Sequence, residues 1–154
     1  MKPYRVLQLG DKFLMQKVPE IYILQINKED LKPIVERMIE TCLQFNGKGL
    51  SANQVGENLR LFVMKPTGHA HFKTYINPRI VASGGRARGK EGCLSFAEPK
   101  VYYNVRRKFW VELEYETLDK DTVKERYEDF DARCVQHEID HLDGILMNMK
   151  GQKA

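Results

Sequence analysis

Near its C-terminal end the chain reads Gln136-His137-Glu138-Ile139-Asp140-His141-Leu142, an H-E-x-x-H pattern. A helix beginning near Asp129 or Asp131 is predicted to run through it towards Asp143-Gly144. Residues four apart on a helix share a face, so both imidazoles can reach one metal ion. Glu138 stands beside them, placed to take a proton from water that such an ion polarises. The bland alternative is a helix with two exposed histidines and an unrelated glutamate.

Outward from this helix the pattern becomes that of strands. Trp110, Glu112, Glu114 and Glu116 alternate with Val111, Leu113, Tyr115 and Thr117, the period of a half-buried strand. Asp119-Lys120-Asp121 turns the chain into a second strand over Thr122 to Tyr127. Leu61 to Met64 is a short apolar run, and Tyr75-Ile76 precedes a turn at Asn77-Pro78. Ile80-Val81-Ala82 leads into the loose stretch Ser83-Gly84-Gly85. Further upstream, Leu31, Ile34, Val35, Met38, Cys42 and Phe45 recur at helical spacing. Asn27 is placed to cap that helix, Pro33 falls early, and Gly47 marks its stop. The first twenty-six residues read as loop or extended chain. The fold class is α+β: mainly antiparallel sheets packed around a central helix carrying H-E-x-x-H, in one domain spanning residues 1–154.

Composition bounds the function. The length suits one self-sufficient core, and no apolar run approaches the roughly 20 residues of a membrane span. The N-terminus is broken by charges and lacks the apolar centre of a signal peptide, so a cytoplasmic protein without membrane contact is expected. Cys42, Cys93 and Cys134 are too few and too odd in number for a disulfide scaffold, which leaves free thiols or a metal thiolate. The net charge of +4 is mild. The clusters Arg86, Arg88, Lys90 and Arg106, Arg107, Lys108 read as solvated strand faces, with weak attraction to RNA the sharper alternative and no specific nucleic-acid partner expected.

Two histidines leave a third ligand to be found. Cys134 shares their helical face but lies seven residues from His141, about 10.5 Å along the axis, too far for one ion. It is expected to line a pocket instead. His69 and His71 sit in a Thr-Gly-His-Ala-His loop and are expected to be exposed. Cys93, in Glu91-Gly92-Cys93-Leu94-Ser95, comes from a different element beside a flexible glycine. One thiolate and two imidazoles leave a tetrahedral position open for water, as catalytic sites do. Spacing alone leaves open that Cys93 is a buried structural cysteine. Thiolate with imidazole favours one divalent transition metal over magnesium or calcium.

Three ordered segments together resemble the peptide deformylases: Gly47-Lys48-Gly49-Leu50-Ser51-Ala52-Asn53-Gln54-Val55-Gly56, Glu91 to Ser95, and Gln136 to Leu142. The resemblance implies metal ligation by Cys93, His137 and His141, with Fe(II) the native metal and zinc, nickel or cobalt able to replace it. It implies Glu138 as acid/base, with Gln54 and the Leu94 backbone N–H as oxyanion donors. The reaction implied is removal of the formyl group from N-formylmethionyl nascent peptides, releasing formate. Gly49 and Gly92 would flank a peptide bound as an added strand, and Lys48, Lys100, Phe130 and Cys134 would line the substrate pocket.

Some positions depart from the family pattern. Lys48 and Ser51 stand where an apolar residue and alanine are usual, Lys100 where many members carry an arginine, and Ala97 where proline is common. The tail from Met149 to Ala154 is short, which resembles compact deformylases encoded by phages and implies a host-cytoplasmic location. It also weakens the transient ribosome contact expected of the family. A monomer is expected. Two rival readings are an H-E-x-x-H metallopeptidase and a metal-stabilised module binding RNA or the ribosome; only a hydrolase needs Glu138.

Overall fold

The computed structural model describes residues 1–154. The N-terminal segment is extended apart from 3₁₀ turns at Lys12–Met15 and Ile23–Gln25. Helix α1 spans Lys28–Gln44, with Glu29 and Asp30 in its first turn. Asn27 occupies the capping position, but its side chain makes no capping hydrogen bond. The helix stop also differs from expectation. Asn46, not Gly47, takes the left-handed conformation (φ 56°). The Asn46 N–H donates to the Leu43 carbonyl (3.3 Å) and the Gly47 N–H to that of Cys42 (2.8 Å), the paired bonds of a Schellman ending. Phe45 therefore leaves the helical face and is 49% exposed rather than joining the core.

Strands follow: β1 (Gly49–Ser51), β2 (Leu61–Met64), β3 (Lys73–Gly84), β4 (Ala87–Glu91), β5 (Tyr103–Arg107), β6 (Trp110–Glu116) and β7 (Thr122–Glu128). Helix α2 covers Asp129–Leu142, helix α3 Met147–Lys150, and strand β8 Gly151–Lys153 closes the chain. Pairing is antiparallel throughout, in a five-stranded sheet ordered β1-β2-β3-β6-β7 and a three-stranded sheet ordered β4-β5-β8. The tail, read from sequence as a short end, is thus a structural strand beside β5.

Asn77-Pro78 makes no turn. Strand β3 runs through it, and the register against β6 shifts between Ile76 and Arg79, where Pro78 needs no ladder N–H. The Asn77 side chain instead pairs with the Ile21 backbone, accepting from its N–H and donating to its carbonyl at 2.7 Å each. This pins the N-terminal segment to the sheet.

The large sheet carries a helix on each face. Phe62 and Met64 of β2 pack with Val111, Leu113 and Tyr115 of β6 against Ala132, Val135, Ile139 and Leu142 of α2. Leu61 and Val63, on the alternate face, meet Leu31, Val35, Met38 and Cys42 of α1. Cys42 is a core residue, as its helical position implied. A third cluster of Leu14, Phe96, Val105, Leu146 and Met147 sits beneath the small sheet. Helix α2 ends where Gly144 turns left-handed (φ 74°); a Cβ there would lie 2.7 Å from the Met15 carbonyl oxygen. The helix is therefore wedged between both sheets, and its polar face has nowhere to go but into the molecule.

Candidate metal centre and catalytic cavity

Helix α2 presents His137 and His141 towards the segment that follows β4. There Cys93 approaches, its Sγ 3.2 Å from His141 Nε2, which lies 3.1 Å from His137 Nε2. All three donor atoms fall within 4.8 Å of one another. Tetrahedral bonds of ordinary metal–nitrogen and metal–sulfur length separate neighbouring ligands by roughly 3.3–3.6 Å. Three donors so close together are spaced to hold a cation, and the mixed sulfur and imidazole set suits a transition metal. Cys134 stands apart from this group, as the helical distance required.

The charges around the site are arranged to hold it. Glu91, at the end of β4, accepts from His137 Nδ1 at 2.9 Å, which leaves Nε2 free to point at the other donors. Its carboxylate also receives the Arg107 guanidinium in a two-point contact (2.8 and 2.9 Å) and Arg133 at 2.7 Å. Arg107 continues to Asp140 at 2.5 Å. Burial would raise the Glu91 carboxyl, but these partners outweigh it and hold the group well below the usual carboxylate range. Burial likewise opposes a charged His137, yet its contacts with Cys93 and Glu91 pull its pKa upward. His141 is pushed down by burial and by the neighbouring His137 charge. The Asn53 side chain donates to the His141 carbonyl at 2.6 Å, fixing the end of the helix.

Glu138 lies beneath β1, 4% exposed. The Ser51 hydroxyl is 2.9 Å from both its side-chain oxygen Oε1 and its main-chain oxygen. Burial raises the Glu138 carboxyl, opposed by the His137 charge and the Ser51 hydroxyl. Gly49 makes room for this carboxylate: a Cβ there would sit 3.0 Å from Oε2. Gln54 is oriented by its own oxygen, which accepts from the Ser51 N–H at 2.9 Å. Its amide nitrogen consequently faces Ser95 Oγ (3.0 Å) and Cys93 Sγ (3.6 Å). The Leu94 backbone N–H donates to no protein acceptor.

These residues border one cavity of about 400 Å³. Cys93, His137, Glu138, Gln54 and Leu94 line it, with His141 buried behind. Gly49, Gly92, Lys48, Lys100, Phe130 and Cys134 line it too, so every residue marked for the pocket faces the same space. His69 and His71 are exposed and take no part in the group.

The family model for polypeptide deformylases matches residues 3–154. The chain belongs to the polypeptide deformylase family. It is 39% identical to the peptide deformylase of Thermotoga neapolitana over 94% of this chain and 84% of that one. The crystal structure of peptide deformylase from Thermotoga maritima superposes with a TM-score of 0.89 at 34% identity, covering 99% of each chain. A Met-Ala-Ser-bound class I type b deformylase from Acinetobacter baumannii gives 0.89 at 29% identity over 97% of this chain and 98% of that one. Like its relatives this deformylase is a hydrolase. None of its helices is long and apolar enough to cross a membrane.

Sequence reasoning missed the residues that support the deformylase centre. Arg107 reads from the sequence as one of a solvated cluster with Arg106 and Lys108, but it is buried, 6% exposed. Strand alternation sends residues 105 and 107 inward and 106 outward, a signal that was legible once β5 was recognised. Arg133 precedes His137 by one helical turn, so it shares the ligand face. Ser51, Ser95, Lys90 and Tyr102 had no local signal, because their neighbours come from distant segments.

Proposed function

We propose that this deformylase removes the formyl group from N-formylmethionyl peptides, with a divalent transition metal held by Cys93, His137 and His141. The observation that carries the reading is the meeting of those three donors with Glu138 and Gln54 at the base of one cavity. Fe(II) is the native metal proposed, with zinc, nickel or cobalt able to substitute, since all accept thiolate and imidazole. When bound, the metal supplies Lewis acidity to water and to the formyl carbonyl.

The protein does the rest. Glu138, raised by burial, takes a proton from the attacking water and returns it to the departing amine. The Gln54 amide and the Leu94 N–H receive the charge that develops on the formyl oxygen, each worth roughly 2.7–4 kcal/mol in such sites. Glu91 keeps His137 in the tautomer that presents Nε2. The peptide lies between β1 and β4, the facing edges of the two sheets, and is held by main-chain bonds that ignore sequence. The methionine side chain enters the cavity beside Phe130, Cys134 and Leu94. Acting on nascent chains in this way, the catalytic domain works as a monomer in the cytoplasm and meets the ribosome only transiently.

The test is formate release from formyl-Met-Ala-Ser by protein purified anaerobically with Fe(II) or Ni(II), beside Glu138→Gln. Turnover is expected in the parent and a loss of at least about a thousandfold in the variant, with metal content unchanged. A metal-loaded parent that releases no formate would overturn the assignment.

A further inference from the structure

We propose that the cavity mouth gives this enzyme a preference for peptides carrying acidic residues directly after the methionine, read by Lys48, Lys90 and Lys100. The proposal rests on the reading above that the cavity receives a methionyl peptide. Lys48 stands on one wall, its ammonium 5.4 Å from the centre of the Phe130 ring. On the other wall Lys90 and Lys100 approach the same Tyr102 ring, at 4.6 and 5.5 Å. The aromatic faces hold the ammonium groups at the rim, where flexible stems would otherwise carry them into solvent.

None of the three has a carboxylate within ion-pair distance. On the large sheet cationic strand residues are matched, as Lys73 is by Glu125, Arg79 by Glu114 and Lys124 by Glu112, whereas Arg88 and Arg106 of the small sheet are unpaired like the rim lysines. Glu98 is near Lys100 in sequence but forms no ion pair with it. The carboxylates that do line the cavity, Glu91 and Glu138, are buried at its base, and Glu91 is answered by Arg107 and Arg133. The rim therefore carries three lysines without an ion-pair partner around one opening.

A peptide leaving the cavity between β1 and β4 must pass between these walls. Its main chain is held without regard to sequence, so the side chains after the methionine are what the rim can distinguish. A low-dielectric cleft lined by one sign of charge concentrates its field on the opening. Screening over about 8 Å at physiological salt confines the effect to the nearest one or two residues. Lysine acts as a mobile point charge, so an acidic side chain at either position satisfies it.

The test is calorimetric titration of the zinc-loaded protein with Met-Asp-Glu, Met-Ala-Ser and Met-Lys-Arg, each as its C-terminal amide. At low salt the acidic peptide is expected to bind about tenfold more tightly than the neutral one and the basic peptide more weakly, the spread shrinking in about 0.5 M salt. The double variant K90Q/K100Q should lose most of that ratio, while K90R/K100R should keep it, since charge and not fold is at issue. Equal binding of acidic and neutral peptides by the parent, undetectable binding of all three, or an unchanged ratio in K90Q/K100Q would overturn the proposal. Formylated versions assayed for formate separate the two readings. Selective binding without formate release defeats deformylation and leaves the preference standing; release from all three at equal kcat/KM defeats the preference alone.

Discussion

Glu138 is held by two small residues of β1, and each makes a separate demand. Gly49 presses against the carboxylate so closely that an added Cβ would meet Oε2 at 3.0 Å and the Val63 carbonyl oxygen at 3.1 Å. Because Val63 is fixed in the sheet, the carboxylate is the part that yields. Gly49→Ala should therefore cut kcat by about one to two orders of magnitude, since small misplacements of a catalytic group are costly. Its melting temperature should stay within a few degrees of the parent; a collapse in stability with normal kcat would contradict the argument. Ser51 acts through charge. A hydroxyl donating to the Glu138 carboxylate favours its ionised form, so Ser51→Ala should raise a carboxyl already raised by burial. The base then stays protonated to higher pH, and the acid limb of kcat/KM against pH moves up by about one pH unit, the size expected for one hydrogen bond to a charge. An unmoved limb would mean that the hydroxyl serves the Glu138 main-chain oxygen instead. The candidate histidine pair and Glu138 were legible in the sequence because their residue types and spacing carry chemistry, whereas Cys93 needed the family resemblance. The role of Ser51 was not, because a serine gains meaning only from what another segment places above it.

Helix α2 turns a single amphipathic pattern to three purposes. Ala132, Val135, Ile139 and Leu142 face the large sheet, Glu138 and Cys134 face the cavity, and Arg133 and His137 reach across to Glu91 on β4. The helix, and the alternating pair β6 and β7, could be read from periodicity, since each buries one regular face. Strands β4 and β5 could not. Their outward positions are polar, but buried Glu91 and Arg107 share the inward face with Ala87, Gly89, Tyr103 and Val105, which breaks the alternation of apolar and polar residues. Polar residues bury there because they answer one another in charge, which no single segment reveals. The same reasoning gives a prediction. Glu91→Gln preserves shape but leaves Arg133 and much of Arg107 without their counter-charge in a buried place. Stability should fall by about 3–5 kcal/mol, measured by urea denaturation of the metal-free protein. Metal affinity should fall about 10- to 100-fold, measured by chelator competition, because His137 loses the partner that orients it. A variant with parental metal affinity would show that the histidines need no such support.

At the scale of the whole molecule the two sheets meet the site from opposite sides. The large sheet brings Gly49, Ser51 and the helix contacts; the small sheet brings Glu91 and Arg107, with Cys93 following β4. The small sheet has three strands, and β8, formed by the last residues of the chain, covers one side of β5. Its pairing places Tyr103 opposite Lys153 and Val105 opposite Gly151, and the Ala154 N–H donates to the Tyr102 carbonyl at 2.9 Å. The tail therefore braces the strand that carries Arg107, and with it the charge chain through Glu91 to His137. Removing residues 151–154 would leave one side of β5 unpaired while taking away no residue that lines the cavity. The expected cost is about 1–3 kcal/mol, from a few hydrogen bonds at about 1 kcal/mol each. For a chain of this size that is a drop of roughly 3–10 °C in melting temperature. The tie to the site adds a sharper expectation: metal affinity should fall measurably in the truncated protein, and amide exchange in β5 should quicken before exchange in β2 or β3. Hydrogen exchange read strand by strand, on truncated and full-length protein loaded with the same metal, checks both parts. Faster exchange confined to the last residues, with metal affinity unchanged, would mean that the small sheet keeps its shape without β8 and that the tail braces nothing.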